Sequence, residues 1–144
     1  MKNIGVDIGN TLCNKTIKVF PKAFEVLKQL NEKFNNVYII SRVNDAQKER
    51  ASNWFKDVDF FNQTNILPDN VYFCFNRRDK SVFVKGLEID WFIDDRPDVM
   101  RHFGHAINKI LMNPVMDLEV IPTLQNLHIV NDWYGIANIF NLKV

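Results

Sequence analysis

Cysteine is scarce: Cys13 and Cys74 are the only two in 144 residues. Two thiols build no disulfide framework, and reduced thiols in a cytoplasmic protein are the simpler expectation. Long apolar runs are missing too. None approaches the ~18–20 residues that a membrane span requires. The opening Met1-Lys2-Asn3-Ile4-Gly5-Val6-Asp7 places a carboxylate where a signal peptide is still apolar, so neither secretion nor a membrane location is expected. Charge of one sign is absent, since 18 Lys and Arg face 17 Asp and Glu for a net charge of +1. That balance gives no electrostatic reason to expect nucleic acid or a membrane surface as a partner. There is no internal repeat, low-complexity tract or Gly/Ser linker, and the five prolines are scattered at 21, 68, 97, 114 and 122. What is present is ordinary globular material: 47% hydrophobic and 12% aromatic residues exclude disorder as the main state. Residues 1–144 read as one unit, long enough to bury a core.

Apolar periodicity divides this unit into alternating strands and helices. Asn3 to Asp7 reads as a buried strand, broken by Gly9-Asn10. Pro21 is expected to open a helix whose apolar face is Phe20, Ala23, Phe24, Leu27, Leu30 and Phe34. Val37 to Ile40 is a second strand, stopped by Ser41-Arg42. Asn44 or Asp45 caps a helix running to about Asp57. Val71 to Phe75 and Asp90 to Ile93 are the third and fourth strands, and Pro97 starts a helix. Ile107 to Met112 is the fifth strand, His128 to Val130 a short edge strand, and Asn131 or Asp132 caps a last helix. Strands alternating with helices imply a parallel sheet covered on both faces, a three-layer α/β/α, Rossmann-like arrangement. Ligands in such sheets bind at the carboxyl ends of the strands.

The polar residues that end strands therefore carry the functional information. Asp7 ends the first strand, Ser41 the second and Asp94-Asp95 the fourth, while Lys80 follows the third. If the strands are parallel, three carboxylates, a hydroxyl and an ammonium converge on one rim. Crowded carboxylates repel, and a divalent cation relieves the repulsion. Hard oxygen donors without neighbouring His or Cys favour Mg²⁺ over zinc. A lysine and a hydroxyl beside the metal suit a phosphate, and an aspartate there can act as a covalent nucleophile. Singly, each residue has a plainer reading as a turn, a cap or a solvated side chain. Their occurrence in this order on successive strands gives them weight. Cys13 is read as an incidental thiol, and Trp54, Trp91 and Trp133 as core. His102, His105 and His128 have no zinc-ligand spacing and receive no role, although His102 and His105 are expected to share a helix face.

In this arrangement the sequence resembles the haloacid dehalogenase-like (HAD) hydrolase superfamily. Val6-Asp7-Ile8-Gly9-Asn10-Thr11-Leu12 is similar to its first motif, an apolar strand followed by D-x-D-x-T. Ile39-Ile40-Ser41 looks like the second motif, Lys80 suits the third, and Phe92-Ile93-Asp94-Asp95 looks like the fourth. Arg78-Asp79-Lys80-Ser81 followed by Ile93-Asp94-Asp95-Arg96-Pro97-Asp98 is similar to the 5'(3')-deoxyribonucleotidases. The resemblance implies an Mg²⁺-dependent phosphohydrolase of phosphomonoesterase or nucleotidase type, working through a phosphoaspartate at Asp7. It implies metal ligation by Asp7, the Gly9 carbonyl, Asp94 and Asp95. It implies phosphate binding by Ser41, Arg42, Lys80 and Thr11. Lys80, not the nearby Lys85, is the expected third-motif lysine.

Two departures bear on activity. The family's second aspartate, which protonates the leaving alcohol and activates water, is Gly9 here. General acid–base help of that kind contributes ~10²–10⁴-fold, so slow turnover is expected. No stretch between the motifs is long enough for a cap domain, so the expected form is capless, open to a small or a macromolecular phosphorylated substrate. The alternative expectation is a catalytically impaired HAD-fold protein that binds a metal, a phosphorylated ligand or a protein partner.

Overall fold

The structure, a computed structural model, describes residues 2–144. Six strands form one sheet in the order β3-β2-β1-β4-β5-β6, every pair parallel. The strands are β1 (Asn3–Val6), β2 (Asn36–Arg42), β3 (Val71–Cys74), β4 (Trp91–Asp94), β5 (Asn108–Met112) and β6 (Leu127–Val130). The helices are α1 (Ala23–Lys33), α2 (Asp45–Asp57), α3 (Phe60–Thr64), α4 (Lys80–Gly86), α5 (Pro97–Met100) and α6 (Trp133–Ile139). The three-layer, Rossmann-like arrangement expected from the sequence is the one observed.

The two faces of the sheet are separated by the two-residue period of the strands. Ile39, Ile93 and Ile110 point into one apolar layer with the buried faces of α1, α2, α3 and α6. Their neighbours Ile40, Phe92 and Leu111 point into the other, with Val84 of α4 and Val99 and Met100 of α5. The first layer holds an aromatic cluster in which Phe24, Trp54, Phe55 and Phe60 meet mostly edge to face, with centroids as close as 4.9 Å for Phe55 and Phe60. Gly5 in the central strand admits Phe92: a Cβ there would lie 2.6 Å from the Phe92 ring.

Several local expectations change. Pro21 does not open α1. A turn closed by Ala23 N–H to Phe20 O (3.2 Å) and a left-handed Lys22 (φ 68°) precede the helix, which starts at Ala23. β2 continues through Ser41 and Arg42, because both pair with β3. β3 stops at Cys74, leaving Phe75 62% exposed. The short α3, absent from the sequence expectation, is bounded by left-handed Asp59 and Asn65. α5 ends at Met100, so His102 and His105 lie in turns beyond it and share no helix face. Other caps fall where expected. Asn44 and Gln47 form a reciprocal capping box on α2, and Asp132 accepts the Gly135 N–H at 3.0 Å on α6. Trp54 and Trp133 are core, whereas Trp91 is half-buried and stacks on His128 at 5.7 Å.

Lys109 in β5 is 1% exposed, and its ammonium donates to the carbonyls of Gly104 (3.1 Å), Ile107 (2.8 Å) and Gln125 (2.9 Å). It therefore gathers the loops at the end of the sheet away from the strand carboxyl ends. Lys109→Met keeps the stem and removes the donors. It is expected to lower stability by ~2–3 kcal/mol in urea unfolding, and a loss below ~0.5 kcal/mol would mean that the carbonyls find other donors.

Candidate active site at the carboxyl ends of the strands

Asp7 follows β1, and its N–H donates to Ile93 O of β4 at 3.0 Å, which fixes it beside the end of that strand. Lys80 begins α4 after the single turn Arg77–Asp79. Its ammonium donates to Asp7 Oδ1 at 2.9 Å and to Asp94 Oδ2 at 2.8 Å, and its side chain is 2% exposed. The other Asp94 oxygen, Oδ1, accepts the N–H groups of Asp95 (2.8 Å) and Arg96 (3.2 Å). Both Asp94 oxygens are thus engaged in setting the site: one orients Lys80, the other shapes the turn that presents Asp95. Asp7, Asp94 and Asp95 offer carboxylate oxygens that all lie within 4.8 Å of one another.

Three carboxylates share a single ammonium. Burial and the Asp94 charge push the Asp7 carboxyl up to about 6, although Lys80 opposes the rise. Burial, the Asp94 charge and a hydrogen bond to Asp94 push Asp95 up to about 8. Burial alone would lower Lys80, but the facing carboxylates of Asp7 and Asp94 outweigh it and hold the ammonium above its usual range. The donor set fits Mg²⁺: hard, closely spaced oxygens with a deficit of positive charge. The Gly9 carbonyl accepts no hydrogen bond among the described residues.

Asp7, Gly9, Ser41, Arg42, Lys80 and Asp95 line one cavity of about 360 Å³. Ser41 is buried, and Arg42 is held across the sheet by its Nε donating to Phe75 O at 3.1 Å. Thr11 requires a correction. It is fully buried and off the cavity wall, its hydroxyl 3.4 Å from Asp7 Oδ2 and its carbonyl receiving the Trp133 indole N–H at 2.8 Å. It braces the loop after β1 and does not reach a phosphate. Lys85 is exposed and off the cavity. The Cys13 thiol lies on the wall, but burial pushes it up to about 11, so it is a poor nucleophile.

The sequence reading missed the remaining walls. Ile17 and Trp54 belong to them, joined by Trp54 Nε1 donating to Ile17 O at 3.0 Å. Lys15, Arg50, Arg77 and Arg96 line the cavity as well. The signal for Arg50 was available, since Gln47, Arg50, Ala51 and Trp54 repeat at helical spacing and all face the cavity. Lys15 and Ile17 sit on an irregular loop, where no periodicity could have placed them.

No family model matches the chain. It is 23% identical over 94 residues to a protein of Oceanobacillus iheyensis named "Putative nucleotidase", covering 65% of this chain and 48% of that protein. It is 29% identical over 94 residues to Peroxisome biogenesis protein 22 of Arabidopsis thaliana, covering 65% of this chain and 33% of that protein. The chain therefore spans half or less of the curated relatives it matches. Among solved structures, D,D-heptose 1,7-bisphosphate phosphatase of Burkholderia thailandensis superposes with TM-score 0.62 at 15% identity, over 99% of this chain and 100% of that one. A structure from Burkholderia xenovorans described as a "putative haloacid dehalogenase-like hydrolase" superposes with TM-score 0.61 at 12% identity, over 88% of this chain and 60% of that one. The fold is HAD-like. It is also capless among the described residues, because the connection from β1 to α1 is a single loop and that from β2 to β3 holds little besides α2 and α3.

Two expectations follow from the site. Lys80→Ala strands two buried carboxylates and should cost ~3–5 kcal/mol, whereas Lys85→Ala should be silent; equal effects in urea unfolding would remove Lys80 from its assigned place. The second concerns pH. The folded carboxyls of Asp7 and Asp95 lie near 6 and 8, above the ordinary 3.8, so the metal-free fold binds more protons than the unfolded chain. Their contribution to stability is then present at low pH and lost as pH rises through those values. Melting in a chelator should fall between pH 6 and pH 8, and Asp95→Asn should flatten that slope. An unchanged slope in the variant would show that other groups set it.

Proposed function

We propose that the chain is an Mg²⁺-dependent phosphomonoesterase, nucleotidase-like in its substrate, that acts slowly through a phosphoaspartate on Asp7. The observation that carries the reading is Lys80 buried between Asp7 and Asp94, with Asp95 beside them on a cavity at the carboxyl ends of parallel strands. Asp7, Asp95 and the Gly9 carbonyl, with Asp94 behind them, would hold one Mg²⁺, which when bound offsets charge on the phosphoryl oxygens. Ser41, Arg42 and Lys80 bind the remaining oxygens. Lys80 also orients Asp7 through Oδ1. An Asp7 oxygen attacks phosphorus, the P–O bond to the alcohol breaks as its oxygen takes a proton from solvent water, and the phosphoryl group passes to Asp7. Water then attacks that phosphorus, the acyl phosphate bond breaks, and inorganic phosphate leaves with Asp7 restored. Cytoplasmic residence remains an expectation from the two free thiols; among the described residues, no helix is long and apolar enough to cross a membrane.

Gly9 supplies neither the proton for the leaving alcohol nor the base for the water. Its φ lies outside the left-handed region, and a Cβ placed on it meets nothing within 4 Å. The glycine is therefore not demanded by the backbone, and a carboxylate can be installed. Wild type should cleave an activated aryl phosphate slowly and a nucleoside monophosphate more slowly. Gly9→Asp should raise turnover by up to ~10²-fold, and Asp7→Asn should abolish it. Nucleotide hydrolysis by wild type at tens of turnovers per second would mean another residue acts as the acid. Gly9 also favours the second reading, a HAD-fold protein that binds a metal, a phosphorylated ligand or a protein partner without turnover. That reading takes over if none of the three proteins shows Asp7-dependent turnover or phosphoenzyme.

A further inference from the structure

The cavity is far more cationic than the chain. The chain carries a net charge of +1. Besides Lys80, the cavity is lined by Lys15, Arg42, Arg50, Arg77 and Arg96, against only Asp7 and Asp95. These five come from five separate segments: the loop after β1, the end of β2, α2, the turn before α4 and the turn after β4. Arg96 is paired with Asp98 at 3.0 Å, but Lys15, Arg42, Arg50 and Arg77 make no ion pair among the described residues. Lys80 is committed to Asp7 and Asp94, so one phosphoryl group at the buried floor would take its balance from an Mg²⁺ held by the carboxylates, with Ser41 and Arg42 beside it. Arg50 and Arg77 are exposed at the mouth. Ile17, Ala51 and the largely buried Trp54 line the same cavity and add apolar surface to it.

Floor, wall and mouth suggest a ligand charged at both ends. We propose that the substrate is a small phosphomonoester bearing a second phosphate, with the transferred group at Lys80 and the second phosphate held at the mouth by Arg50 and Arg77. This rests on the phosphoryl-transfer reading of the floor. A volume of about 360 Å³ is that of a small-molecule site. Guanidinium groups bind phosphate through paired charge-assisted hydrogen bonds, which outweigh the ordinary solvation of an exposed arginine when the partner is dianionic. The charged mouth also supplies what a cap would otherwise provide, a means of choosing among substrates at an open site.

The test is calorimetric binding of adenosine 3',5'-bisphosphate and adenosine 5'-monophosphate in Mg²⁺, on wild type and on Asp7→Asn, which forms no phosphoenzyme. The bisphosphate should bind at least roughly tenfold more tightly. The pair Arg50→Gln and Arg77→Gln should bring the ratio near one, while Lys85→Gln should leave it intact. Both arginines are exposed, so the double variant should keep the wild-type melting temperature. A ratio near one in wild type, or a ratio that survives the double substitution, overturns the proposal. Phosphate-ester turnover with a ratio near one overturns the second anion site alone. A retained ratio with no turnover of any phosphate ester keeps the anion site and overturns the hydrolase reading.

Discussion

The ammonium of Lys80 is the interaction on which the site depends. It is 2% exposed and lies 2.9 Å from Asp7 and 2.8 Å from Asp94. No other cation reaches those two carboxylates: the four ion pairs among the described residues are these two and two on exposed side chains. A buried ion pair of this kind stabilises little compared with an apolar replacement, while loss of one partner is costly. Its presence therefore reflects what the carboxylates must do rather than what the fold needs. The geometry is set by backbone: parallel β1 and β4 bring Asp7 and Asp94 to one end of the sheet, and the turn Arg77–Asp79 delivers Lys80 between them.

Charge then decides what the cluster can accept. With one ammonium for three carboxylates, Asp95 keeps its proton to about pH 8, and Asp7 its own only to about 6. Both carboxyls are thus held above the ordinary carboxylate range, Asp95 further than Asp7. A divalent cation would displace the Asp95 proton and complete the balance, so metal binding and deprotonation are one event. The surplus of cations on the outer wall does not cancel this deficit, because the guanidinium groups of Arg50 and Arg77 stand at the exposed mouth.

Much of this was legible in the sequence because strand ends are legible. Short apolar runs followed by Asp7, by Ser41 and by Asp94-Asp95 fix both the parallel sheet and the rim on which these residues meet. Capping chemistry was equally readable, since Asn44 with Gln47 is a local signature. What could not be read depended on backbone angles or on irregular loops. Pro21 carries the ordinary sign of a first helical turn, yet the left-handed Lys22 delays the helix to Ala23. Thr11 stands within the first motif, but motif membership does not say which way a side chain points; here it is drawn under Asp7. His102 and His105 share a helical spacing, which means nothing once α5 ends at Met100. The cationic wall is a property of five segments at once, and no window along the chain contains it.

The loop after β1 explains how the cavity is bounded without a cap. Asn10 N–H donates to Cys13 O at 2.7 Å, and Asn14 N–H to Lys18 O at 2.9 Å, so the loop folds back on itself. Its tip is fastened to α2 by the Trp54 indole, whose N–H reaches Ile17 O across 37 positions. That anchor turns a surface loop into a wall and gives Lys15 and Ile17 their places on the cavity. The wall does not close over the floor, so water exclusion is partial and electrostatic stabilisation weaker than in a sealed site. An unsealed site without a side-chain acid at position 9 cannot rely on proton transfer or on desolvation for rate. What the cavity does supply is fixed charge: Lys80 between Asp7 and Asp94, and Arg50 and Arg77 exposed on the same cavity. A preference for a doubly anionic ligand and a strong dependence on the leaving group would thus be two consequences of one composition, cations in place of a carboxylic acid and a lid.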